Sequence, residues 1–249
     1  MASPSGSLNQ QTKEEQMSKQ LIKLLAETGN TKLDKTRTDQ ILIAGLSLAP
    51  AMESGTELCP SRSEGCTSVC LFDQGRGKFS NVRQARIKKA QLFLENRRLF
   101  LSTLESELDA IERKAEKQGK TPFVRLNVLS DVAWELVAPS LFKRKIRFYD
   151  YTKRFDRMDR YLTGKFPWNY DLIFSRSEKN ESFCLDVLSS GGVVNVVWRT
   201  RESIPDTWFG YHVIKEQDDT DVWWLGKVSQ VGGAFAKGSA KLDQTGFIL

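Results

Sequence analysis

Short apolar runs recur along the chain and are separated by segments with helical spacing. The first run is ILIAGLSLAP at 41–50, and the later ones lie at 123–130, 146–152, 170–177, 193–200 and 208–215. Runs of this length that alternate with helical segments are typical of parallel strands covered by helices. The pattern predicts an α/β fold with six parallel strands, arranged as a partial or complete β/α (TIM-like) barrel. A flat, doubly wound sheet is the alternative.

Two amphipathic helices are predicted outside these runs. The longer one covers 80–118 and ends before Gly119, a residue that favours the left-handed conformation after a helix. Its apolar face consists of Phe93, Phe100, Leu104, Leu108, Ile111 and Ala115. The shorter helix is predicted at 18–28, with Leu21, Leu24 and Leu25 on one face. Residues 1–17 are polar and predict a disordered tail, which leaves 18–249 as a single domain.

Composition narrows the class of protein. The chain has 249 residues, of which 40% are hydrophobic and 27% charged, as in ordinary globular proteins. No apolar run is long enough to span a membrane. The first residues, MASPSGSLNQQTKEEQ, lack the apolar stretch of a secretory signal, so a reducing intracellular setting is expected. The net charge of +6 permits an anionic partner.

Three of the four cysteines stand in one hydrophilic loop. Cys59, Cys66 and Cys70 have the spacing C-x6-C-x3-C in ELCPSRSEGCTSVC. In a reducing compartment, clustered thiols favour soft metals over disulfides. Structural zinc prefers paired knuckles with closer spacing, whereas a loop of this kind suits a larger [4Fe–4S] cluster. The three cysteines are therefore predicted to be cluster ligands, with zinc and a metal-free loop as alternatives.

The fourth ligand of such a cluster is left open by the sequence. Cys184 shares a helical face with Val187 and Leu188, which favours a buried core thiol over a metal ligand. The other candidates are Asp131, a small molecule, or an open iron. His212 is the single histidine and lies within an apolar strand, so it is interpreted as structural.

Polar residues follow several of the predicted strands. The carboxyl ends of parallel strands meet at one edge, where the cysteine loop also begins. Asn127, Asp131, Lys153 and Arg176 are therefore predicted to line one cofactor-binding cleft beside the cluster. Because TKR at 152–154 lies at a strand end, Lys153 or Arg154 is also a candidate for holding a small anionic ligand. No catalytic residue can be assigned from the sequence.

Two segments are rich in basic residues. Residues 76–98 carry eight basic residues and one acid, and residues 143–160 carry eight basic residues and three acids. Such clusters, with aromatic residues interspersed, are found where proteins bind nucleic acid. The solvated outer faces of helices over a sheet have the same composition, and this interpretation is favoured over nucleic-acid binding.

Four stretches of the chain resemble a known family in the same order. They are LSLAPAMESGTELCPSRSEGCTSVC, RLNVLSDVAWE, FYDYTKRFDRM and YDLIFSRSE, and the resemblance to the phage gene-product-eighty-eight family covers about residues 41 to 240. That family is similar in turn to the radical-SAM superfamily, in which three cysteines after the first barrel strand hold a [4Fe–4S] cluster. The resemblance implies a phage protein of the infected host's cytoplasm, a barrel-like fold, a cluster, and redox or radical-SAM-like chemistry on an unknown substrate.

The chain departs from the radical-SAM pattern at two places. Its cysteines are not spaced C-x3-C-x2-C, and LSD at 129–131 stands where that superfamily has Gly-Gly-Glu. Both departures count against S-adenosylmethionine as a cofactor. Two other functions remain open: a non-enzymatic electron-transfer or iron–sulfur carrier protein, and a nucleic-acid-binding protein with a structural cluster.

Overall fold

The computed structural model describes residues 22–249, and nine strands within them form one mixed sheet. The strands are β1 (Leu25–Ala26), β2 (Ile41–Leu46), β3 (Thr121–Arg125), β4 (Arg147–Thr152), β5 (Tyr170–Ser175), β6 (Val194–Trp198), β7 (Thr207–Trp208), β8 (Tyr211–Ile214) and β9 (Val231–Phe235). Their order across the sheet is β1-β2-β3-β4-β5-β6-β9-β8-β7. Five of the six predicted runs, from 41–50 to 193–200, are confirmed as β2 to β6.

Most of the sheet is parallel. Strands β2 to β6 pair in the order in which they follow one another along the chain, and β9 then pairs in parallel with both β6 and β8. The edge strands β1 and β7 are antiparallel to their neighbours. In the described part of the chain these two edges do not pair with each other, so the sheet is not closed. The α/β class and the parallel sheet are thus confirmed.

The helices connect the strands and cover the sheet. The α-helices are α1 (Thr31–Thr36), α2 (Glu64–Ser68), α3 (Ser80–Glu95), α4 (Arg97–Gln118), α5 (Trp134–Val137), α6 (Phe155–Leu162) and α7 (Glu181–Ser189). Short 3-10 helices lie at Leu71–Asp73, Gly75–Lys78, Pro139–Lys143, Lys215–Asp219 and Gly238–Leu242.

Alternate residues of each strand pack on opposite faces of the sheet. In β4, Phe148 belongs to the core formed with α3 and α4, whereas Tyr149 packs on the other face with Trp223 and Trp224. A second core joins α6 and α7 to β5 and β6. Both faces of the sheet are therefore covered, and this explains why the strands appear in the sequence as continuous apolar runs.

The long predicted helix is two helices that meet at Asn96. This residue leaves the helical conformation, with φ −136° and ψ 66°, and its side chain accepts a hydrogen bond from the Leu99 amide at 3.1 Å. The amide group thus caps α4, a role that Asn fills well. The predicted apolar face is confirmed, because its six residues are all buried. Gly119 ends α4 in the left-handed conformation, as predicted.

The helix predicted at 18–28 is wrong in the part that the structure describes. Leu25–Ala26 pairs with β2 as an edge strand. The amides of Leu24 and Leu25 donate to the Glu107 carboxylate at 2.8 and 2.7 Å, and both leucine side chains are buried. These partners from β2 and α4 compensate for the missing helical hydrogen bonds. Leu21 and the predicted tail at 1–17 lie outside the described residues.

The last part of the sheet differs from the prediction. The run at 208–215 contains a hairpin, since Phe209 and Gly210 both have positive φ and turn the chain between β7 and β8. Strand β9 was not predicted. Its glycines hide the strand pattern, yet a side chain at Gly232 would overlap the Trp223 ring, and one at Gly233 would lie 2.7 Å from Ile204. Close packing therefore requires glycine in this strand.

Candidate metal centre

The cysteine loop follows β2 and carries the short helix α2. The Ser63 hydroxyl accepts a hydrogen bond from the Cys66 amide at 3.1 Å and so begins this helix. Cys59 precedes α2, Cys66 lies within it, and Cys70 follows it. All three are free thiols and half-buried.

The segments that follow β3 and β5 hold this loop at the carboxyl edge of the sheet. The Asp131 amide donates to the Leu58 carbonyl at 2.8 Å, and the Cys59 thiol donates to the Leu129 carbonyl at 3.3 Å. Beyond β5, the Glu178 carboxylate accepts from the Ser63 hydroxyl at 2.8 Å and from the Gly65 amide at 2.9 Å. The loop is thus fixed by contacts from the segments after these two strands.

The C-terminal segment closes over the loop from the other side. A side chain at Gly65 would overlap Thr245 and Phe247, so the backbone of α2 lies directly against this segment. Cys66 packs there against a small core of Ala236, Ala240, Phe247 and Ile248. Arg176 donates to the Gly246 and Phe247 carbonyls at 2.7 and 3.0 Å and thereby holds the segment in place.

The three thiols influence one another electrostatically. Burial first, and then the charges of Asp131, Cys66 and Cys70, raise the pKa of the Cys59 thiol to about 12, against a backbone hydrogen bond at Ala51 that lowers it. Burial also raises the pKa of Cys70, whereas Lys153 acts in the opposite direction. Among residues 22–249, no three His, Cys, Asp or Glu side chains form a group that could hold a metal ion.

Asn127 and Asp131 lie together beside the loop, and their side chains bond within the protein. The Asn127 amide nitrogen donates to Asp150 and to the Val132 carbonyl, both at 2.9 Å. The Asp131 carboxylate accepts from the Thr152 hydroxyl at 2.8 Å and the Lys153 amide at 3.1 Å. Both predicted site residues are buried and connect the ends of β3 and β4.

The other two predicted cleft residues differ in their surroundings. Lys153 is half-exposed, and its ammonium lies 5.3 Å from the centre of the Phe247 ring. Arg176 lies beyond the next strand, β5, and is buried against the C-terminal segment. The structure therefore brings Asn127, Asp131 and Lys153 together, while Arg176 contacts the segment that covers the loop.

The sequence did not reveal a buried ionic network behind this edge. Arg157 on α6 is fully buried and pairs with Asp131 at 2.7 Å and Glu135 at 2.8 Å. It also donates to the Tyr170 hydroxyl at 3.0 Å, and this hydroxyl in turn donates to Asp150. Burial raises the pKa of Asp150 to about 7, although the Arg157 charge opposes the shift. Asp131 and Glu135 are four residues apart, and this spacing was the sequence signal that the two acids could pair with one basic residue.

Cys184 lies on α7 and His212 on β8, outside the cysteine loop. Cys184 is fully buried in the core with Phe174 and Val187, and its sulfur lies 3.7 Å from the Asn180 side-chain oxygen. This agrees with its interpretation as a core thiol. His212 lies on β8 opposite Thr207 and is exposed.

Several arginines of the two basic segments pair with acids of the same chain. Arg144 pairs with Asp109 at 2.7 Å, Arg147 with Asp171 at 2.8 Å, and Arg154 with Asp156 at 2.6 Å. Arg83 contacts both Asp73 and Glu53. Part of the positive charge that suggested a nucleic-acid surface is thus neutralised within the protein.

Fold and site together define an α/β protein whose mostly parallel sheet carries a cysteine loop at the carboxyl ends of its strands. The model of the Gene product 88 family matches residues 20–248, and the chain therefore belongs to this family of phage proteins. No curated protein and no solved structure matches the chain.

Membership in a phage family indicates a protein made in the infected host cell. Within residues 22–249, none of the helices is both long enough and apolar enough to cross a membrane.

Proposed function

We propose that this protein holds a [4Fe–4S] cluster through Cys59, Cys66 and Cys70 and uses it in redox chemistry. The observation that carries the proposal is the placement of three half-buried free thiols on one loop, which the segments after β3 and β5 hold at the carboxyl edge of a parallel sheet. This edge is where α/β proteins bind their ligands. The spacing of the cysteines favours a cluster, whose irons lie apart, over a single zinc ion.

Thiols are the kind of donor that an iron–sulfur group takes, although residues 22–249 as described do not gather the three of them into a metal-holding group. Thiolates are the usual ligands of such clusters, and burial, which raises the pKa of Cys59, makes its thiolate form costly. Binding to iron would add positive charge beside this thiolate.

The arrangement of strands supports a finer description of the fold. We propose that β2 to β6 and β9, six parallel strands in chain order, form a partial β/α barrel with the cysteine loop after its first strand. This arrangement is also what the resemblance to the radical-SAM superfamily implies. It is the reason that we propose redox chemistry, at a cluster placed as in that superfamily, over simple iron–sulfur storage.

The residues around the loop have separable roles in this proposal. A bound cluster would supply one-electron transfer. Glu178 and Arg176 position the loop and its cover, whereas Asn127 and Asp131 fix the ends of β3 and β4. Lys153 is half-exposed, its charge lowers the pKa of Cys70, and it is our candidate for holding a small anionic ligand.

The test is the iron and sulfide content of anaerobically purified protein, together with its paramagnetic resonance spectrum. We expect Cys59→Ala, Cys66→Ala and Cys70→Ala each to lose the cluster. Cys184→Ala is the matched control and should keep it, because that thiol packs in the core. Full iron content in any one of the three loop variants would contradict the ligand assignment.

We further expect that the protein does not cleave S-adenosylmethionine. In the radical-SAM pattern a Gly-Gly-Glu segment follows the second strand, but here Asp131 stands at that place with its carboxylate already bonded to Thr152 and Arg157. The measurement is 5′-deoxyadenosine formed by the reduced, cluster-loaded protein. An amount above that of the Cys66→Ala variant would overturn this expectation without affecting the cluster itself.

A further inference from the structure

The two basic segments differ in how much of their charge is paired. In residues 143–160, four of the eight basic residues pair with acids, namely Arg144, Arg147, Arg154 and Arg157. In residues 76–98, Arg83 alone forms an ion pair within the described range 22–249. Five of the others are exposed: Arg76, Lys78, Lys88, Arg97 and Arg98. The charge that suggested a nucleic-acid surface is thus largely unpaired in this first segment.

The five exposed cations follow the length of helix α3. Arg76 and Lys78 precede it, Lys88 lies near its middle, and Arg97 and Arg98 follow its end. Sixteen residues make this helix about 24 Å long. Residues three or four apart share one side of a helix, and here the exposed residues of that side are Asn81, Gln84, Lys88, Gln91 and Glu95. We call the exposed side of residues 76–98 the α3 surface.

The positions of these cations are not explained by the stability of the helices. The N-terminus of a helix carries partial positive charge and therefore favours acids over bases. Arg76 and Lys78 lie just before the start of α3, and Arg97 and Arg98 are the first two residues of α4. Neither helix has an acid in its first turn. The arrangement is electrostatically unfavourable for the protein alone and becomes favourable when a polyanion lies along α3.

The acids of the adjoining helix α4 contact other parts of the chain. Glu107 accepts hydrogen bonds from two amides of the chain before β2, and Asp109 pairs with Arg144. Glu112 accepts from the Lys145 amide at 2.6 Å. These carboxylates therefore form no ion pair with the cations of the α3 surface, which stays positive towards solvent.

We propose that the α3 surface binds the phosphodiester backbone of a nucleic acid without sequence specificity. Arg, Lys, Asn and Gln side chains are the usual contacts to phosphate, and these are the residue types exposed here. A helix that lies on a membrane exposes large apolar side chains, whereas those of α3 are all at least partly buried. The centre of a protein–protein interface is rich in aromatic residues and poor in Lys, unlike this side of α3. This binding requires no metal and is independent of the proposed cluster.

The test is fluorescence anisotropy with short labelled duplexes of mixed sequence, one of DNA and one of RNA, at several salt concentrations. Each lost phosphate contact lowers the slope of log affinity against log salt concentration by about 1. We expect Lys78→Gln/Lys88→Gln to lower this slope by about 2. The matched control is Lys143→Gln/Lys145→Gln, which removes the same charge from two exposed lysines of the other basic segment and should leave the slope unchanged.

A second pair of substitutions tests whether the surface extends along the whole helix. Arg97→Gln/Arg98→Gln removes two charges at the opposite end of α3, and the slope should again fall by about 2. Circular dichroism should show the same fold in every variant, because the substituted side chains are exposed. Binding to both duplexes, or to only one of them, identifies which nucleic acid supplies the backbone and supports the proposal in either case.

Two results would overturn the proposal. The first is wild-type protein that binds neither duplex at low salt, including the case in which it binds vesicles of anionic lipid instead. The second is an equal slope for Lys78→Gln/Lys88→Gln and its control, since binding would then follow net charge and not the α3 surface. Neither result depends on iron content, so the cluster proposal is tested separately.

Discussion

Replacing Arg157 by Met tests how much the network behind the site stabilises the fold. Arg157 is fully buried and balances two carboxylates, Asp131 and Glu135, which are themselves buried. Met fills a similar volume but leaves both carboxylates without their cation. Removing one partner of a buried ion pair costs about 3–5 kcal/mol. We therefore expect the free energy of unfolding to fall by about that amount.

The matched control is Arg154→Met on the neighbouring turn. Its partner, Asp156, has a side chain that is 62% exposed, and such surface pairs contribute about 1 kcal/mol or less. The free energies of unfolding are measured by urea denaturation monitored by circular dichroism. For a domain of this size, 1 kcal/mol shifts the melting temperature by about 2–4 °C. Arg157→Met should thus melt about 6–20 °C lower, and the control by about 4 °C or less.

A second substitution separates lost charge balance from lost packing. Adding Glu135→Gln to Arg157→Met removes one of the two unpaired carboxylates, so part of the stability should return. The reasoning would be refuted if Arg157→Met unfolded with the same free energy as Arg154→Met. It would also be refuted if the double variant were less stable than Arg157→Met alone.

Two further predictions concern the loop anchor and a second buried carboxylate. Glu178→Gln weakens the bonds to Ser63 and Gly65, so limited proteolysis should cut the cysteine loop faster and iron content should fall, while Glu116→Gln on the exposed side of α4 should leave both unchanged. Burial alone would raise the pKa of Asp221, but Arg125 and Lys32 lower it from 3.8 to about 2. Ionised Asp221 therefore stabilises the fold above about pH 4. Its contribution to the free energy of unfolding, about 2 kcal/mol, is lost as the pH falls from about 4 to 2. Denaturation curves of Asp221→Asn should lack this part of the pH dependence.

The core strands could be predicted because their sequence pattern follows directly from burial on both faces. Residues 41–50 are apolar at nearly every position since β2 is covered on each side, and the next four runs share this property. Placing the cysteine loop at the carboxyl edge needed only the order of strand and loop. These inferences depend on local composition, which one sequence is sufficient to reveal.

Features that depend on distant contacts were missed. Strand β9 contains Gly232 because the Trp223 ring occupies the space of a side chain, and nothing near Gly232 in the sequence indicates that ring. Likewise, Arg157 lies in a segment whose charge suggested a solvated face, and its burial depends on carboxylates more than twenty residues away. Asn96 divides the long helix without interrupting the apolar spacing, so the periodicity did not reveal the break.

The cysteine loop is held by parts of the chain that are far apart in sequence, and this links any metal site to the fold as a whole. Leu129 and Asp131 follow β3, Glu178 follows β5, and Phe247 lies near the end of the chain. The three thiols take their positions only when all of these segments are packed. A group bound by the native thiols alone stabilises the native state by mass action. Its binding energy therefore stabilises the entire sheet and not just the loop, as in other proteins whose metal binding is coupled to folding.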